Sequence, residues 1–545
     1  MDPRIWLDEH LKDTAPWKVA TGSATLALTT AALYALYSTG DVRGTLERLA
    51  FKALKAVPGA QGVIDKEMNE MKGKMEASLF ENRAADELQF RRIPEHGLEA
   101  EQLFAELQKL REREEGNWKS GKVSGGVYHG MEDHLQVVNR AYQMFSLMNP
   151  LHPDVFPSGV KFESEIVAMS IDLLGGQHDV HCGNVTSGGT ESILMAMKAY
   201  RDYARKHHPN IRVPEIVAPV TAHAAFDKAA GYFGMRLVKV PLAADYRVDM
   251  SAVRRAITSN TVVLVGSAPG YPHGIVDPIE ELAALAQSRG LGMHVDACLG
   301  GFLLPWLQRV GHPGLPNWNL SVPGVTSMSA DTHKYGYAVK GTSVVLFSKP
   351  ELRQCMYFVY PEWVGGIYAS PTISGSRAGG LLAACWASMI SLGQDGYLKA
   401  AKTISDATVL LKAEVAKIPQ LELIGDSHTM VIAFRASPAI TSQDKNFIFK
   451  VMEGMKRLGW SLNPVQKPNG LHVCVTLPVA QHVEELLQDL RDVAAQVEAK
   501  PEDFNDGVAP IYGTAFALPD QTLVGDLTSH FLDLLTKAKP LEEAQ

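Results

Sequence analysis

The sequence predicts an α/β fold built on a mainly parallel sheet and followed by a smaller α+β domain, and three observations lead there. From about Asp133 onward, short β-rich runs alternate with segments of helical periodicity, the pattern of parallel strands joined by crossover helices. The turn Ser187-Gly188-Gly189 passes directly into a helical pattern carrying Ile193, Ala196, Met197 and Tyr200 on one side. An apolar run ends in the carboxylate of Asp296, and the carboxyl ends of strands are where open α/β sheets collect their ligands.

Candidate strands lie at 215–220, 237–242, 261–265, 292–295, 325–328 and 343–347, most of them rich in Val, Ile or Leu. Between two of them, residues 279–289 place Ile279, Leu282, Leu285 and Ala286 on one helical face, and Gly290 marks the stop. After Phe347 comes a glycine-rich aromatic stretch to Gly380, then a helical run, then strands at 431–434 and 471–476 of the smaller domain. Ahead of the sheet, residues 43–116 read as charged helix, with Leu98, Leu103, Leu107 and Leu110 as an apolar stripe. The resulting plan is an N-terminal segment over 1–60, a helical connector or arm over 61–132, a large domain over 133–375, and a small domain with its tail over 376–545.

A chain of 545 residues can bury a large core and exceeds one ordinary domain. Its net charge of −8 gives no global reason to bind nucleic acid, so any phosphate on a substrate must meet local basic groups. The five cysteines are scattered and odd in number, without a Cys-x-x-Cys pair, which points to a reducing compartment and to no metal site. No Walker-type loop or Gly-x-Gly-x-x-Gly run is present.

The N-terminus departs from this soluble pattern. Residues 19–37 carry no charge between Lys18 and Asp41, a length that spans a bilayer core. Asp2, Asp8, Glu9 and Asp13 argue against a cleaved signal or transit peptide, so a membrane anchor is expected. Arg43, Arg48, Lys52 and Lys55 follow the span while Arg4, Lys12 and Lys18 precede it, a slight bias toward a cytoplasmic C-terminal side.

The chemistry concentrates in Ser329-Ala-Asp-Thr-His-Lys334, followed by Tyr335-Gly-Tyr-Ala-Val-Lys340-Gly341. Lys334 supplies an amine for a Schiff base, and a desolvated, cationic setting would lower its pKa toward neutrality. Asp296 supplies a carboxylate to hold a pyridine nitrogen as a cation, or else an N-cap for the segment after Cys298. Thr186-Ser-Gly188-Gly189-Thr190-Glu191 offers backbone donors at a helix start, an anion site. Ser329 and His333 can donate to the same phosphate, Gly336 permits close backbone approach, and the imidazole of His223 can stack on a ring. A phosphate cradle, a carboxylate and an amine in this order along the chain point to pyridoxal 5′-phosphate as cofactor.

These residues resemble the fold type I pyridoxal phosphate enzymes, in the group that contains the glutamate and aromatic amino-acid decarboxylases. Within it the closer likeness is to the lyases of phosphorylated long-chain bases. The resemblance covers roughly residues 80 to 500. It is carried by Trp118-Lys-Ser-Gly-Lys-Val-Ser-Gly-Gly-Val-Tyr128, Asn149-Pro-Leu-His152-Pro-Asp-Val-Phe156, the 186–191 turn, His223-Ala-Ala-Phe226, Val295-Asp-Ala-Cys298-Leu-Gly-Gly301, Asp331-Thr-His-Lys-Tyr-Gly-Tyr337 with Lys340-Gly341, and Gly365-Gly-Ile-Tyr368-Ala-Ser-Pro-Thr372 with Gly375-Ser-Arg377. Ala378 and Val339 stand where the group usually has proline, which leaves both turns less stiff.

The resemblance implies that Lys334 carries the cofactor, Asp296 meets its ring nitrogen and His223 stacks above it, with Gly188, Gly189, Thr190 and His333 on its phosphate. It implies Asn149, His152 and Lys340 on a substrate phosphate, and Tyr128, Tyr271 and Cys298 near the reacting carbons. The implied reaction is retro-aldol cleavage between C2 and C3 of sphingosine 1-phosphate or a related base, giving a long-chain aldehyde and phosphoethanolamine. The base acting on the C3 hydroxyl is left among Lys340, a tyrosine and the substrate phosphate. The implied protein is a homodimer, with Tyr368 and the 375–377 turn reaching a neighbouring subunit's site. It is anchored in the endoplasmic reticulum membrane with its catalytic part facing the cytosol. An amino-acid decarboxylase on the same scaffold and a membrane scaffold with a degenerate site are the rival expectations.

Overall fold

The computed structural model describes residues 60–81, 88–505 and 521–538. The uncharged stretch 19–37 lies outside the described residues, and no described helix is long and apolar enough to cross a membrane. The described residues divide into two compact units, those up to Glu114 together with 521–538, and 115–505. Within the first, helix Ala60–Glu81 packs against helix Gln521–Leu535, and Lys537 meets Glu76 at 2.5 Å. The helix Ala100–Trp118 buries none of its residues, so the leucine stripe that reads as a packing face is exposed in the single chain.

The second unit is organised by a seven-stranded sheet: β1 (Cys182–Thr186), β2 (Glu215–Pro219), β3 (Arg236–Val240), β4 (Thr261–Ser267), β5 (Gly292–Asp296), β6 (Ser327–Ala330) and β7 (Ser343–Phe347). Their order across the sheet is β1-β7-β6-β5-β4-β2-β3. β7 pairs antiparallel with both β1 and β6, and all other pairings are parallel. All seven residues of β4 and all five of β7 are buried, as strands covered on both faces must be, and their near-continuous apolar sequences reflect that.

The six candidate strands are therefore all present, with ends shifted by up to a few residues. β1 escapes sequence reading because Cys-Gly-Asn-Val-Thr shows neither an apolar run nor clean alternation. Helix α1 (Gly189–His207) follows β1 and ends on Arg205, Lys206 and His207, cations suited to a helix C-terminus. Helix α2 (Ile279–Ser288) stops one residue earlier than expected: Arg289 is the C-cap and Gly290, at φ 66°, takes the left-handed position after it. Gly292, the first residue of β5, has no room for a side chain, since a Cβ there would lie 2.2 Å from the Tyr200 ring of α1.

A short hairpin, β8 (Phe358–Tyr360) with β9 (Tyr368–Ser370), follows the sheet, and then comes the long helix α3 (Gly379–Val415), interrupted at Gly393 (φ 57°, ψ −176°). The second sheet is antiparallel, made of β10 (Leu421–Leu423), β11 (Val431–Ala436), β12 (Asn463–Val465) and β13 (Gly470–Cys474) in the order β10-β11-β13-β12. Helices Phe447–Arg457 and Val483–Ala499 pack on one another beside it. The expected α+β character of this part is present, while its short strands β10 and β12 carry too few residues to show a period.

Candidate active site

β1, β5 and β6 run parallel, so their carboxyl ends emerge on one edge of the large sheet, and each delivers one of the predicted motifs. β1 delivers the Ser187-Gly188-Gly189-Thr190 turn, β5 delivers Asp296, and β6 leads through Asp331 to Lys334. The pieces are joined beneath by hydroxyls. Thr186 Oγ1 lies 2.6 Å from Ser192 Oγ, Ser192 Oγ lies 2.8 Å from Ser343 Oγ, and Ser343 donates to the Ala330 carbonyl at 3.0 Å. Above them a cavity of about 360 Å³ is lined by Ser187, Gly188, Gly189, Thr190, His223, Cys298, Asp331, His333 and Lys334, among others.

The turn is held by Glu191, whose carboxylate accepts from Ser187 N at 2.7 Å and from Ile373 N at 3.0 Å. No side chain caps α1, and the N–H groups of Gly189 and Thr190 have no partner among the described residues. They remain available to an anion. Gly189 cannot carry a Cβ without placing it 2.7 Å from Asp331 Oδ1 and 2.8 Å from Cys298 Sγ, so the glycine keeps the cradle open. The close approach expected at Gly336 is to its own chain, where a Cβ would sit 2.4 Å from the Thr332 carbonyl oxygen.

Lys334 Nζ meets Asp331 Oδ2 at 2.8 Å. Here the expected cationic setting is corrected. Burial opposes the charge on Lys334, but Asp331, with smaller contributions from Cys298 and Tyr128, outweighs it and holds the amine above its ordinary value. Sequence reasoning misses Asp331, although it stands one helical turn before the lysine in the same motif. Its Oδ1 is buried without a hydrogen-bond partner in the described residues.

Asp296 is buried at the end of β5. Its Oδ1 accepts from Cys298 N at 3.1 Å and from Ser329 Oγ at 3.4 Å; the first contact closes a turn and is no N-cap, because the next helix begins only at Leu304. Oδ2 has no partner among the described residues. Ser329 does not line the cavity; its hydroxyl serves Asp296, His294 and Cys298. His223 does line it, with Nδ1 accepting from Ala225 N at 3.1 Å. His333 also lines it, and burial lowers its pKa, so the ring is neutral at pH 7. Its Nδ1 accepts from Thr342 N at 3.3 Å.

Tyr128 and Tyr271 both feel the charge of Lys334, yet burial raises both phenols above their ordinary value. Burial likewise pushes the Cys298 thiol up, reinforced by Asp296 and Asp331. All three carry their protons at neutral pH. Lys340 differs: burial, and then the neighbouring Lys334, lower its pKa, and its Nζ sits 4.7 Å from the centroid of the Tyr128 ring. Asn149 and His152 do not line the cavity. Asn149 is built instead into the predicted turn, with Nδ2 donating to Ser376 Oγ at 3.1 Å and Oδ1 accepting from Arg377 N at 3.3 Å. Arg377 is locked by a two-pronged pair to Glu163 at 2.9 and 2.7 Å.

These residues fit pyridoxal phosphate. A lysine amine, the orphaned Asp331 Oδ1 and free backbone N–H groups at a helix start surround one cavity; Asp296 does not line it but is hydrogen-bonded to Cys298, which does. The family model described as pyridoxal-dependent decarboxylase conserved domain matches residues 149–437. A sphingosine-1-phosphate lyase of Dictyostelium discoideum is 43% identical over 530 residues, covering 97% of each chain. One of Arabidopsis thaliana is 43% identical over 511 residues, covering 91% of each. A solved sphingosine-1-phosphate lyase of Burkholderia pseudomallei superposes with a TM-score of 0.75 at 39% identity, over 84% of this chain and 99% of that one. By its fold, its cofactor cradle and this likeness over nearly its whole length, the chain belongs to the sphingosine-1-phosphate lyases, within the pyridoxal-dependent decarboxylase family.

Proposed function

We infer that the chain is a pyridoxal phosphate-dependent carbon-carbon lyase that cleaves sphingosine 1-phosphate and related phosphorylated long-chain bases in sphingolipid degradation. The products are a long-chain aldehyde and phosphoethanolamine. The observation that carries this reading is the meeting of Lys334, the 188–190 turn and Cys298 around one cavity, above Asp296, in a chain that aligns over nearly its full length with lyases of that name. The cofactor, when bound, supplies a sink for the electron pair released from the C2–C3 bond.

The chain's own residues divide the remaining work. Lys334 holds the cofactor, Asp296 faces its ring nitrogen, His223 stacks on the ring, and Gly188, Gly189, Thr190 and His333 hold its phosphate. Lys340 is the best placed acceptor for the C3 hydroxyl proton. Of the candidate groups it alone has a pKa displaced toward the neutral form that a base requires, whereas Tyr128, Tyr271 and Cys298 are displaced toward keeping their protons. Tyr128 and Tyr271 then orient the hydroxyl, and Asn149, His152 and Lys340 bind the substrate phosphate.

The working form is a homodimer whose sites are shared between subunits, with Tyr368 and the 375–377 turn reaching across. In support, the hairpin and its loop expose Phe358 (53%), Trp363 (51%), Val364 (102%) and Ile367 (80%), more apolar surface than a lone chain leaves in water without cause. Residues 19–37 anchor the protein in the endoplasmic reticulum membrane, with the catalytic part on the cytosolic side, where a substrate with a long apolar tail resides.

Purified protein loaded with pyridoxal phosphate and given sphingosine 1-phosphate should release long-chain aldehyde and phosphoethanolamine in equal amounts. Release of carbon dioxide from amino acids, with neither product formed, would replace this reading with a decarboxylase. Removal of residues 1–40 should leave activity on detergent-dispersed substrate intact while abolishing membrane association.

A further inference from the structure

Beneath Asp296 a line of buried polar groups runs back through the sheet. Tyr200 OH lies 2.6 Å from Ser327 Oγ, Ser327 Oγ lies 2.8 Å from His294 Nδ1, His294 Nε2 lies 3.2 Å from Ser329 Oγ, and Ser329 Oγ lies 3.4 Å from Asp296 Oδ1. His294, Ser327 and Ser329 are wholly buried, and Tyr200 is 4% exposed. Alternation along β5 creates the geometry: His294 and Asp296 are two residues apart and share a face, and on β6 Ser327 and Ser329 pair with them in register.

The direction of every proton in this line follows from its last member. A carboxylate only accepts, so Ser329 must donate to Asp296. The Ser329 oxygen is then free to accept, and a ring N–H at His294 Nε2 satisfies it. A neutral imidazole has one N–H, so Nδ1 becomes the acceptor and Ser327 donates to it. Ser327 in turn accepts from the Tyr200 hydroxyl at 2.6 Å, shorter than that hydroxyl's 3.4 Å approach to the Met293 carbonyl, while its remaining neighbour, Thr326 Oγ1 at 2.6 Å, gives its own proton to the Met293 carbonyl. Burial holds His294 neutral, its pKa lowered to about 4, which is what a single ring N–H requires. The Cys298 thiol, 3.2 Å from Ser329 Oγ, is the one other donor in reach of that oxygen among the described residues.

We propose that His294 is a positioning residue for the reaction, fixed as the Nε2–H tautomer so that a chain of donors all pointing the same way ends on Asp296 and keeps that carboxylate aimed at the cofactor ring. The proposal rests on the reading of Asp296 as the partner of the ring nitrogen. A line of aligned donors polarises along its length and favours the charged form of the acceptor at its end. No member of the line itself lines the cavity, and it meets the site at Asp296 and, through Ser329, at the Cys298 thiol.

The test compares two substitutions that both fit the space of an imidazole. His294→Gln puts an amide N–H near the place of Nε2, while His294→Asn puts one near the place of Nδ1 and leaves Ser329 without its donor. Apo protein is titrated with pyridoxal 5′-phosphate and the absorbance of the bound cofactor is followed. His294→Gln is expected to bind within about threefold of the unsubstituted protein. His294→Asn and Ser329→Ala are expected to bind about tenfold more weakly, the scale on which removing a group that orients a ligand is felt.

Equal affinity in the Gln and Asn variants, whether both normal or both weak, overturns the proposal, because a packing role would not tell the two apart. Asp296→Asn separates this failure from failure of the underlying reading. If that variant also binds the cofactor normally, Asp296 is not the ring's partner and both fall; if it binds weakly while His294→Asn does not, only the relay falls. Nitrogen NMR of ¹⁵N-histidine-labelled apo protein, with the His294 signals identified by their loss in His294→Gln, gives a reading independent of the cofactor. A neutral Nε2–H ring is expected, and a protonated Nδ1 overturns the assignment.

Discussion

The Lys340 ammonium lies over the face of Tyr128, 4.7 Å from the ring centroid, and both side chains sit close enough to Lys334 to feel its charge. An aromatic face favours a cation, whereas burial and Lys334 disfavour it, and the second influence prevails. A lysine held in this way can release its proton more readily than one in water, and so can also take one up from a substrate hydroxyl.

Replacing Lys340 by Ala is expected to lower kcat by about 10²- to 10⁴-fold, the usual share of a general base, while pyridoxal phosphate still loads. Lys340→Arg should not restore turnover, because a guanidinium does not give up its proton. Steady-state kinetics beside a cofactor absorbance spectrum decide the point, and normal turnover in the Ala variant would remove Lys340 from the chemistry.

Asp331→Asn removes the charge that holds the Lys334 amine above its ordinary value. The amine should then become neutral at lower pH, seen as faster labelling of the apo protein by an amine reagent at pH 8. Stability should fall by about 1–3 kcal/mol in urea unfolding, since a largely buried cation loses its partner. An unchanged labelling rate would mean that Asp331 does not set the state of the lysine.

Gly189→Ala places a methyl group 2.7 Å from Asp331 Oδ1 inside the cradle. Alanine suits a first helical turn, so the fold should survive and the thermal midpoint should stay close to that of the unsubstituted protein. Cofactor affinity measured by titration should drop by about 1.4 kcal/mol or more, which is tenfold.

Four histidines, His129, His273, His294 and His472, are held neutral by burial, each with its pKa lowered to about 4. Between the ordinary value of 6.5 and 4 the unfolded chain binds protons at these positions and the folded chain does not, so stability falls as pH falls through that window. Each contributes up to about 1.4 kcal/mol per pH unit there. Urea midpoints at pH 7.0 and 5.5 should differ accordingly. His273→Gln, which lies outside the cofactor cavity, should reduce the difference by one histidine's share.

Every strand of the large sheet except β1 is legible in the sequence: β2, β4 and β7 are buried along their whole length and carry apolar runs, while β3, an edge strand with Arg236 and Lys239 exposed, keeps Leu237, Val238 and Val240. β1 betrays itself only through its glycine turn, which is visible although the strand is not. Asp296 and the 188–190 turn can be read because they stand at the end of a strand and the start of a helix, and His223, His333 and Lys334 because their residue types in the loops after β2 and β6 suit a ring and an imine. Asp331 and His294 cannot be singled out in this way. Their importance lies in which atom meets which, Asp331 Oδ2 on Lys334 Nζ and His294 between two serines, and that depends on the register of β5 with β6 rather than on any local pattern. The state of the Lys334 amine escapes sequence reading for the same reason: burial is visible in the composition of the segment, and the opposing carboxylate is visible only in space.

The antiparallel strand β7 also bears on how the protein can be made. β1 and β6 have no hydrogen bonds to each other and meet only through β7, which is the last of the seven strands to be synthesised. A growing chain that has reached Lys334 therefore already holds both the phosphate cradle and the lysine, with α1 able to lie against β6 through Tyr200 and Ser327, yet β1 has no strand partner until residues 343–347 have left the ribosome and slotted between the two edges. Completion of the sheet beneath the cradle is thus timed to the end of the large domain's synthesis, so a fragment ending before Ser343 should hold pyridoxal phosphate more weakly than one ending beyond Phe347.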